Sequence, residues 1–220
     1  MSVAQNLADI KRRIADACKE CGRNPEDVVL VAVSKTVDAD TINEAKNEGQ
    51  YIFGENRPQE LCVKFPLIEG AVWHLIGHLQ TNKVKTVVGK AKLIHSVDSL
   101  RLLESINNEA KKQSIIQDIL LELNISGEES KYGLTTEEIP NIIKCINSME
   151  NVAFKGFMTM APKNATEDEL HYVFGEAHRI YESFKDSGAE VLSMGMSGDF
   201  EVAIKEGATH IRVGSSIFKR

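Results

Sequence analysis

The sequence predicts an α/β fold: a single (β/α)₈ barrel of the TIM type with an extra N-terminal helix. Three observations predict it. Short apolar runs rich in β-branched residues alternate with helical stretches along the chain. Eight such runs are present. They are continuous in apolar character more than alternating, as strands of a parallel sheet buried on both faces should be. Eight units favour a closed barrel, and a doubly wound open sheet is the alternative. At 220 residues the chain suits one well-buried core. No Pro/Gly/Ser-rich linker or charge block divides it, so residues 1–220 are expected to form one domain, with residues 1–22 as a helix packed on the barrel.

The first helix comes from Val3, Leu7, Ile10, Ile14, Ala17 and Cys21, spaced by three and four on one face. Gly22 ends it and Pro25 prevents its resumption. The eight expected strands are Val28–Ser34, Tyr51–Phe53, Trp73–Ile76, Lys92–Val97, Ile119–Ile125, Val152–Met158, Glu190–Met194 and Thr209–Val213. Between them helices are expected over Ala39–Asn47, Pro58–Phe65, Thr81–Val88, Ser99–Lys112, Thr136–Ile146, Glu167–Ser187 and Phe200–Glu206. Asp38 or Asp40 supplies a cap for the first of these. Thr135 or Thr136 with Glu138 reads as a capping box for the fifth. Pro58 sits where a first helical turn tolerates it.

Composition excludes several classes. Hydrophobic residues make up 42% and charged residues 26%, the mix of a globular domain. The formal charge is −6 with no basic run, which disfavours a nucleic-acid partner. No apolar stretch has the length to span a bilayer. The opening MSVAQNLADIKRR lacks the apolar core of a signal peptide, so a cytoplasmic location without membrane attachment is expected. Cys18 and Cys21 form a CxxC, but they lie in a helical pattern with no second pair, so packing is expected over a zinc or redox site. His74, His95 and His210 are expected to be structural, as is Trp73, and no spacing suggests a metal site.

In a barrel of this kind, binding groups gather at the C-terminal ends of the strands. Lys35 follows the apolar run Val28–Val33 and should point into the mouth. Desolvation there would favour a neutral amine able to form a Schiff base with a carbonyl. The plain alternative is a lysine reaching water. Ser197-Gly198 follows strand seven, and Gly214-Ser215 follows strand eight. Barrels often bind phosphate with these two loops, where glycines admit the anion and hydroxyls donate to it. Gly and Ser are also ordinary turn residues. A Schiff-base lysine opposite a phosphate site suggests pyridoxal 5′-phosphate (PLP). Arg212 shares a face of strand eight with Gly214 and would donate to the ring nitrogen, leaving it unprotonated. The alternative is an arginine paired with a carboxylate elsewhere.

Several motifs then carry a family resemblance. They are VAVSKT at 31–36, FGENRPQE at 53–60, WHLIGHLQTNK at 73–83, SVDS at 96–99, MTMAP at 158–162, MGMSGDFEVAI at 194–204 and IRVGSSIF at 211–218. With these, the chain closely resembles the pyridoxal phosphate homeostasis protein family, whose fold is like the N-terminal barrel of alanine racemase. The resemblance runs from the first helix to Phe218. It implies Lys35 as the Schiff-base residue, with Asn56 near it. It places Ser197, Gly198, Gly214 and Ser215 at the phosphate, Arg212 at the ring nitrogen, and His78 and Met158 near the ring. Ser215 stands where threonine is common and Phe200 where methionine is common, and neither affects cofactor binding.

The resulting expectation is a PLP-binding protein of intracellular PLP homeostasis that stores, buffers or transfers the cofactor, with apo-PLP enzymes as recipients and without robust turnover. A PLP-dependent racemase is the alternative, and a barrel enzyme using Lys35 on another phosphorylated ligand a third reading. Racemases that share this barrel carry a second, β-rich domain, whereas this sequence stops soon after strand eight. A complete barrel can stand alone, so a monomer is expected. Finally, Gly127 and Gly133 bracket Lys131 after strand five, so its amine could reach over the mouth as a relay for cofactor release. Beside Glu128 and Glu129 it could equally be a solvated lysine.

Overall fold

The computed structural model describes residues 2–125, 127 and 132–219. Lys131, Glu128 and Glu129 lie outside the described residues. Eight strands are present among the described ones: β1 (Val29–Val33), β2 (Ile52–Glu55), β3 (Val72–Leu75), β4 (Leu93–Val97), β5 (Gln117–Leu123), β6 (Val152–Thr159), β7 (Val191–Met196) and β8 (His210–Val213). They form a closed parallel barrel in sequence order. β8 closes on β1 with Val29 opposite His210 and Val31 opposite Arg212. This is the predicted barrel. β2 runs on to Glu55 and so carries that residue inside the sheet.

The helices form for local reasons that also bear on the site. α1 (Val3–Glu20) starts in a capping box between Ser2 and Gln5. It buries Val3, Leu7, Ile10, Ile14 and Ala17. Each Leu or Ile so buried contributes roughly 1.5–3 kcal/mol. Gly22, at φ 72°, ends it, with Arg23 N–H donating back to Cys18 O at 2.9 Å. α1 packs on α8 (Phe200–Lys205) and α9 (Ser215–Phe218). Asn6 Nδ2 donates to Ile217 O at 2.8 Å. Arg23 donates to Ile204 O at 2.6 Å and Ala208 O at 2.8 Å. The first helix thus ties down the chain on both sides of β8.

α2 (Ala39–Asn47) and α3 (Pro58–Lys64) fill the first two crossovers. Asp38 caps α2, and Pro58 occupies the first position of α3. α5 (Leu100–Lys112) is capped by Ser99. Three helices differ from expectation. The stretch at 81–88 is a 3₁₀ turn, Thr81–Lys83, followed by the single-turn α4 (Val84–Val87). α6 spans Ile139–Ile146, not Thr136–Ile146. Starting at Thr136 would put Pro140 in a helix interior, where its ring and missing N–H break the ladder. Glu138 instead accepts from Thr135 N–H at 2.8 Å in a turn before the helix. α7 (Glu167–Ser183) opens with a capping box between Thr166 and Glu169 and stops before a 3₁₀ turn, Lys185–Ser187, that ends at left-handed Gly188. Cys18 is buried in α1, and all four cysteines are free thiols. Trp73 is a core residue. No helix among the described residues is long and apolar enough to cross a membrane.

Candidate functional site

Parallel barrel strands all end at one rim, so the segments that follow them converge. A cavity of about 480 Å³ opens there. Lys35, Asn56, His78 and Arg212 line it, together with Ser197, Gly198, Gly214 and Ser215. The rim therefore brings together eight of the nine sequence candidates. A second opening of about 500 Å³ lies on the other side of Lys35 and shares Val33, Lys35, Gly214 and Ser215 with the first. Met158, which the resemblance places near the ring, is the exception: it does not line the cavity and is fully buried with Leu93 and Leu120 in an apolar cluster. The mouth is lined instead by Met160. Met158 pairs with Glu122 inside β6, whereas Met160 lies beyond the strand end.

Lys35 also departs from expectation. Its side chain is exposed, so the barrel walls alone do not desolvate it. Beside it, Gly214 lies so close to β1 that a Cβ there would sit 2.9 Å from Val33 O. That contact draws the loop after β8 against the lysine strand. The turn after β7 is set differently. Met196 N–H donates to Asp199 Oδ1, and Gly214 N–H donates to Ser197 Oγ at 3.3 Å. A Cβ on Gly198 would meet nothing within 4 Å, so this turn faces open space. Helix α8 that follows has only six residues, too short to lend much dipole.

Arg212 is 3% exposed and lies beneath the mouth. Its Nη1 donates to Ser193 Oγ at 2.7 Å and its Nη2 to Thr159 O at 3.0 Å. Burial lowers its pKa to about 10, against the opposing pull of Asp199 and Glu122. Below it runs a polar chain. Ser193 Oγ lies 3.0 Å from His95 Nδ1, and His95 Nε2 lies 3.0 Å from His74 Nδ1. Burial pushes His95 well below the usual range and His74 to about 3. His210 falls to about 4 for the same reason. These imidazoles are neutral at pH 7. Ser193 Oγ accepts from Arg212, and the tautomer of His95 sets the direction of its bonds to Ser193 and His74. Among the described residues, no cluster of His, Cys, Asp or Glu is placed to hold a metal.

The remaining wall comes from β2, β3 and β5. Gly77 packs on Asn56 so tightly that a Cβ would lie 2.2 Å from Asn56 O. Any other residue at 77 would displace Asn56 from the rim. His78 pairs with Asp98 at 3.2 Å and stacks on Tyr132, with ring centroids 3.8 Å apart. Glu122 lines the cavity as well. Its pKa rises to about 7, chiefly through burial and secondly through Asp98, although Arg212 pulls it down. Glu122 and Tyr132 are two polar wall residues that sequence reasoning missed. A signal existed for Glu122: it is the lone charge in the apolar run Ile119–Leu123 and sits near the strand's C-terminal end. Tyr132 lies in a loop and had none.

Comparison with known proteins sharpens this geometry. Residues 5–220 match the family model for the N-terminal domain of alanine racemase. A protein of Aquifex aeolicus described as pyridoxal phosphate homeostasis protein is 38% identical, over 99% of this chain and 98% of its own. The solved structure of PipY from Synechococcus elongatus PCC7942, with PLP bound, superposes with a TM-score of 0.86 at 31% identity and covers 99% of this chain and 100% of that one. An alanine racemase of Clostridium difficile shares the fold at 17% identity, with a TM-score of 0.72, and this chain spans 57% of it. Full-length similarity of this degree places the chain in the pyridoxal phosphate homeostasis protein family.

Proposed function

We propose that this protein binds PLP in the barrel mouth and acts in intracellular PLP homeostasis, by storage, buffering or transfer to apo-enzymes. One observation carries the reading. A buried guanidinium with unused donors and an exposed strand-end amine face the same cavity, beside two Ser/Gly turns. The volume is within the range of small-molecule sites, about 300–1,000 Å³.

The residues fit the cofactor group by group. Arg212 spends two hydrogen bonds on the protein, out of a five-donor group, and can give another to a ring nitrogen. Because it does not surrender a proton, that nitrogen stays unprotonated. Ser197 and Ser215 offer hydroxyls to a phosphate, Gly198 offers a backbone N–H, and Gly214, with no side chain, lets the backbone come close. Asn56 lies on the Lys35 side of the cavity, and His78 with Tyr132 presents a flat wall. Bound PLP supplies an aldehyde and an electron-withdrawing ring. Lys35 is the amine that captures the aldehyde as a Schiff base. Its exposure suits exchange of the cofactor with other amines.

The relatives named for homeostasis and PipY with its bound PLP support this reading over a racemase, to which the likeness is one of fold. The chain is proposed to act as a monomer in the cytoplasm. The test is an absorption spectrum of the purified protein before and after borohydride reduction, followed by peptide mapping. A visible band that reduction removes, with a pyridoxyl group on Lys35, is expected. A pyridoxyl group mapped only to another lysine would overturn the assignment. Rapid exchange of an amino acid's α-hydrogen with deuterated solvent, with inversion, would restore the racemase.

A further inference from the structure

Lys35 follows β1 at the mouth and is exposed. Among the described residues, its amine makes no hydrogen bond or ion pair. The backbone on either side of it, by contrast, is held at several points. Ser34 N–H donates to Gly54 O at 3.0 Å, and Ser34 Oγ donates to Glu55 Oε1 at 2.7 Å. Lys64 Nζ donates to Ser34 O at 2.7 Å and also pairs with Glu55 Oε1 at 2.7 Å. Thr36 N–H donates to Glu60 Oε2 at 2.9 Å, and Glu60 lies 3.4 Å from Lys64. One ammonium group therefore reaches three acceptors, using all three of its donors.

The grip has something to hold. Val37 N–H donates to Ser34 O at 3.0 Å, closing a four-residue turn with Lys35 and Thr36 at its centre. Thr36 sits at φ 61°. The left-handed region at that turn position suits glycine or asparagine and disfavours a β-branched residue. Thr36 is thus in a costly conformation that its surroundings must impose. The imposing groups are themselves unusual. Glu55 is fully buried, Lys64 is 8% exposed, and Glu55 Oε2 has no hydrogen-bond partner. A buried ion pair is weak evidence for stability, because desolvation offsets most of its attraction. Burial pushes the Glu55 carboxyl up despite its pairing with Lys64, whereas the Thr36 N–H holds that of Glu60 below the usual range.

We propose that Glu55, Lys64 and Glu60 are positioning residues for Lys35: their ion network locks the Ser34–Thr36 backbone in the left-handed turn that aims the amine across the mouth. The inference rests on the reading of Lys35 as the PLP-capturing amine. With the backbone fixed and the side chain free, the amine can meet the aldehyde and let it go without breaking any contact of its own.

Glu60 is the member to test, because it is half-buried on the outer side and its removal leaves the Glu55–Lys64 pair intact. In Glu60→Ala, attachment of PLP to Lys35, followed by stopped-flow absorbance, should slow about tenfold, as expected when a reacting group is misplaced by a fraction of an ångström to an ångström. Thr36→Gly removes the strain. In the Glu60→Ala background it should restore the rate to within about twofold, because glycine enters the left-handed region freely. A second readout needs no cofactor: backbone chemical shifts of residue 36 in the apoprotein. They should report a left-handed conformation in the wild type and an extended or helical one in Glu60→Ala. Attachment at the wild-type rate in Glu60→Ala, failure of Thr36→Gly to rescue, or unchanged shifts at Thr36 would each overturn the positioning role. Wild-type protein that takes no label on Lys35 would sink the cofactor assignment instead, and the shifts at residue 36 would still decide whether Glu60 holds the turn.

Discussion

The two cations of the mouth are treated in opposite ways. Lys35 is exposed and its amine is unpaired among the described residues, while the backbone around it is gripped by Glu55, Glu60 and Lys64. Arg212 is buried, and its side chain itself is gripped, by Ser193 and Thr159 O. The difference follows from what each group has to do. A nucleophilic amine needs conformational freedom to form and break a bond, so the fold fixes only where its chain begins. A guanidinium that orients a ring and sets its charge needs the reverse, and a planar fork is preorganised for it. The surroundings match. Beneath Arg212 lies a floor of neutral histidines, which adds no competing charge, and around Lys35 lies water.

The sharpest way to break the comparison is to remove each cation. Lys35→Ala should abolish the reducible visible band altogether. It should leave the stability of the apoprotein within about 0.5 kcal/mol, as for a surface residue. Arg212→Met should keep covalent labelling of Lys35 but weaken PLP binding by about ten- to a hundredfold, the loss of a charge-assisted hydrogen bond worth about 1.5–3 kcal/mol. Its apoprotein should also melt lower than the wild type, by about 1–3 kcal/mol for each buried acceptor left without its donor, Thr159 O and Ser193 Oγ. Fluorescence titration and thermal melts read both. An Arg212→Met protein that unfolds while binding is spared would reverse the assignment of roles.

Glu122 sharpens the contrast through pH. Its pKa is raised to about 7 from 4.5, so the folded protein holds its proton more tightly than the unfolded chain does. The contribution to stability is fully present below pH 4.5 and is lost as pH rises through 7. Glu122→Gln keeps a neutral side chain throughout. Relative to wild type it should gain roughly 1.4 kcal/mol per pH unit across that window, reaching a plateau of order 3 kcal/mol near pH 8. Denaturant melts at pH 5 and pH 8 measure the difference. Equal stability differences at the two pH values would mean that Glu122 is ionised in the folded state throughout.

The smallest effects are expected at the phosphate turns. Ser197→Ala and Ser215→Ala should each weaken PLP binding about tenfold, one charge-assisted hydrogen bond apiece. Ser197 also accepts from Gly214 N–H, so its loss should loosen the neighbouring loop, whereas exposed Ser215 has no such second task. Titration of the apoproteins compares the two. A double variant with unchanged affinity would move the phosphate to another part of the rim.

Much of this was legible in the sequence because it depends on period and on local chemistry. The eight strands and their parallel closure follow from continuous apolar runs between helical patterns. The α2 boundaries Ala39–Asn47 coincide with the expected ones because Asp38 caps the helix. The start of α6 was misread because a Thr–Glu capping pattern and Pro140 compete, and proline wins by sterics. Met160 and not Met158 lines the rim because a strand end shifted by one or two residues decides which of two methionines reaches it. The exposure of Lys35 was misjudged because an apolar strand says how its own residues are buried, not how wide the barrel opens beyond its last one.

By itself, then, the sequence determined the barrel, the order of its elements, and a lysine, an arginine and two Ser/Gly turns at strand ends. Those are properties of neighbouring residues, governed by side-chain periodicity and turn sterics over a few positions. Tertiary structure alone decided that Glu55, Glu60 and Lys64 would grip the chain on both sides of Lys35. It also decided that Ser193, His95 and His74 would line up under Arg212, that Gly77 would press on Asn56, and that Glu122 would meet a guanidinium at the mouth. Each of these joins residues from different strands and helices. Hydrogen bonds and desolvation act over a few ångströms in space, and only closure of the barrel brings such residues within that reach.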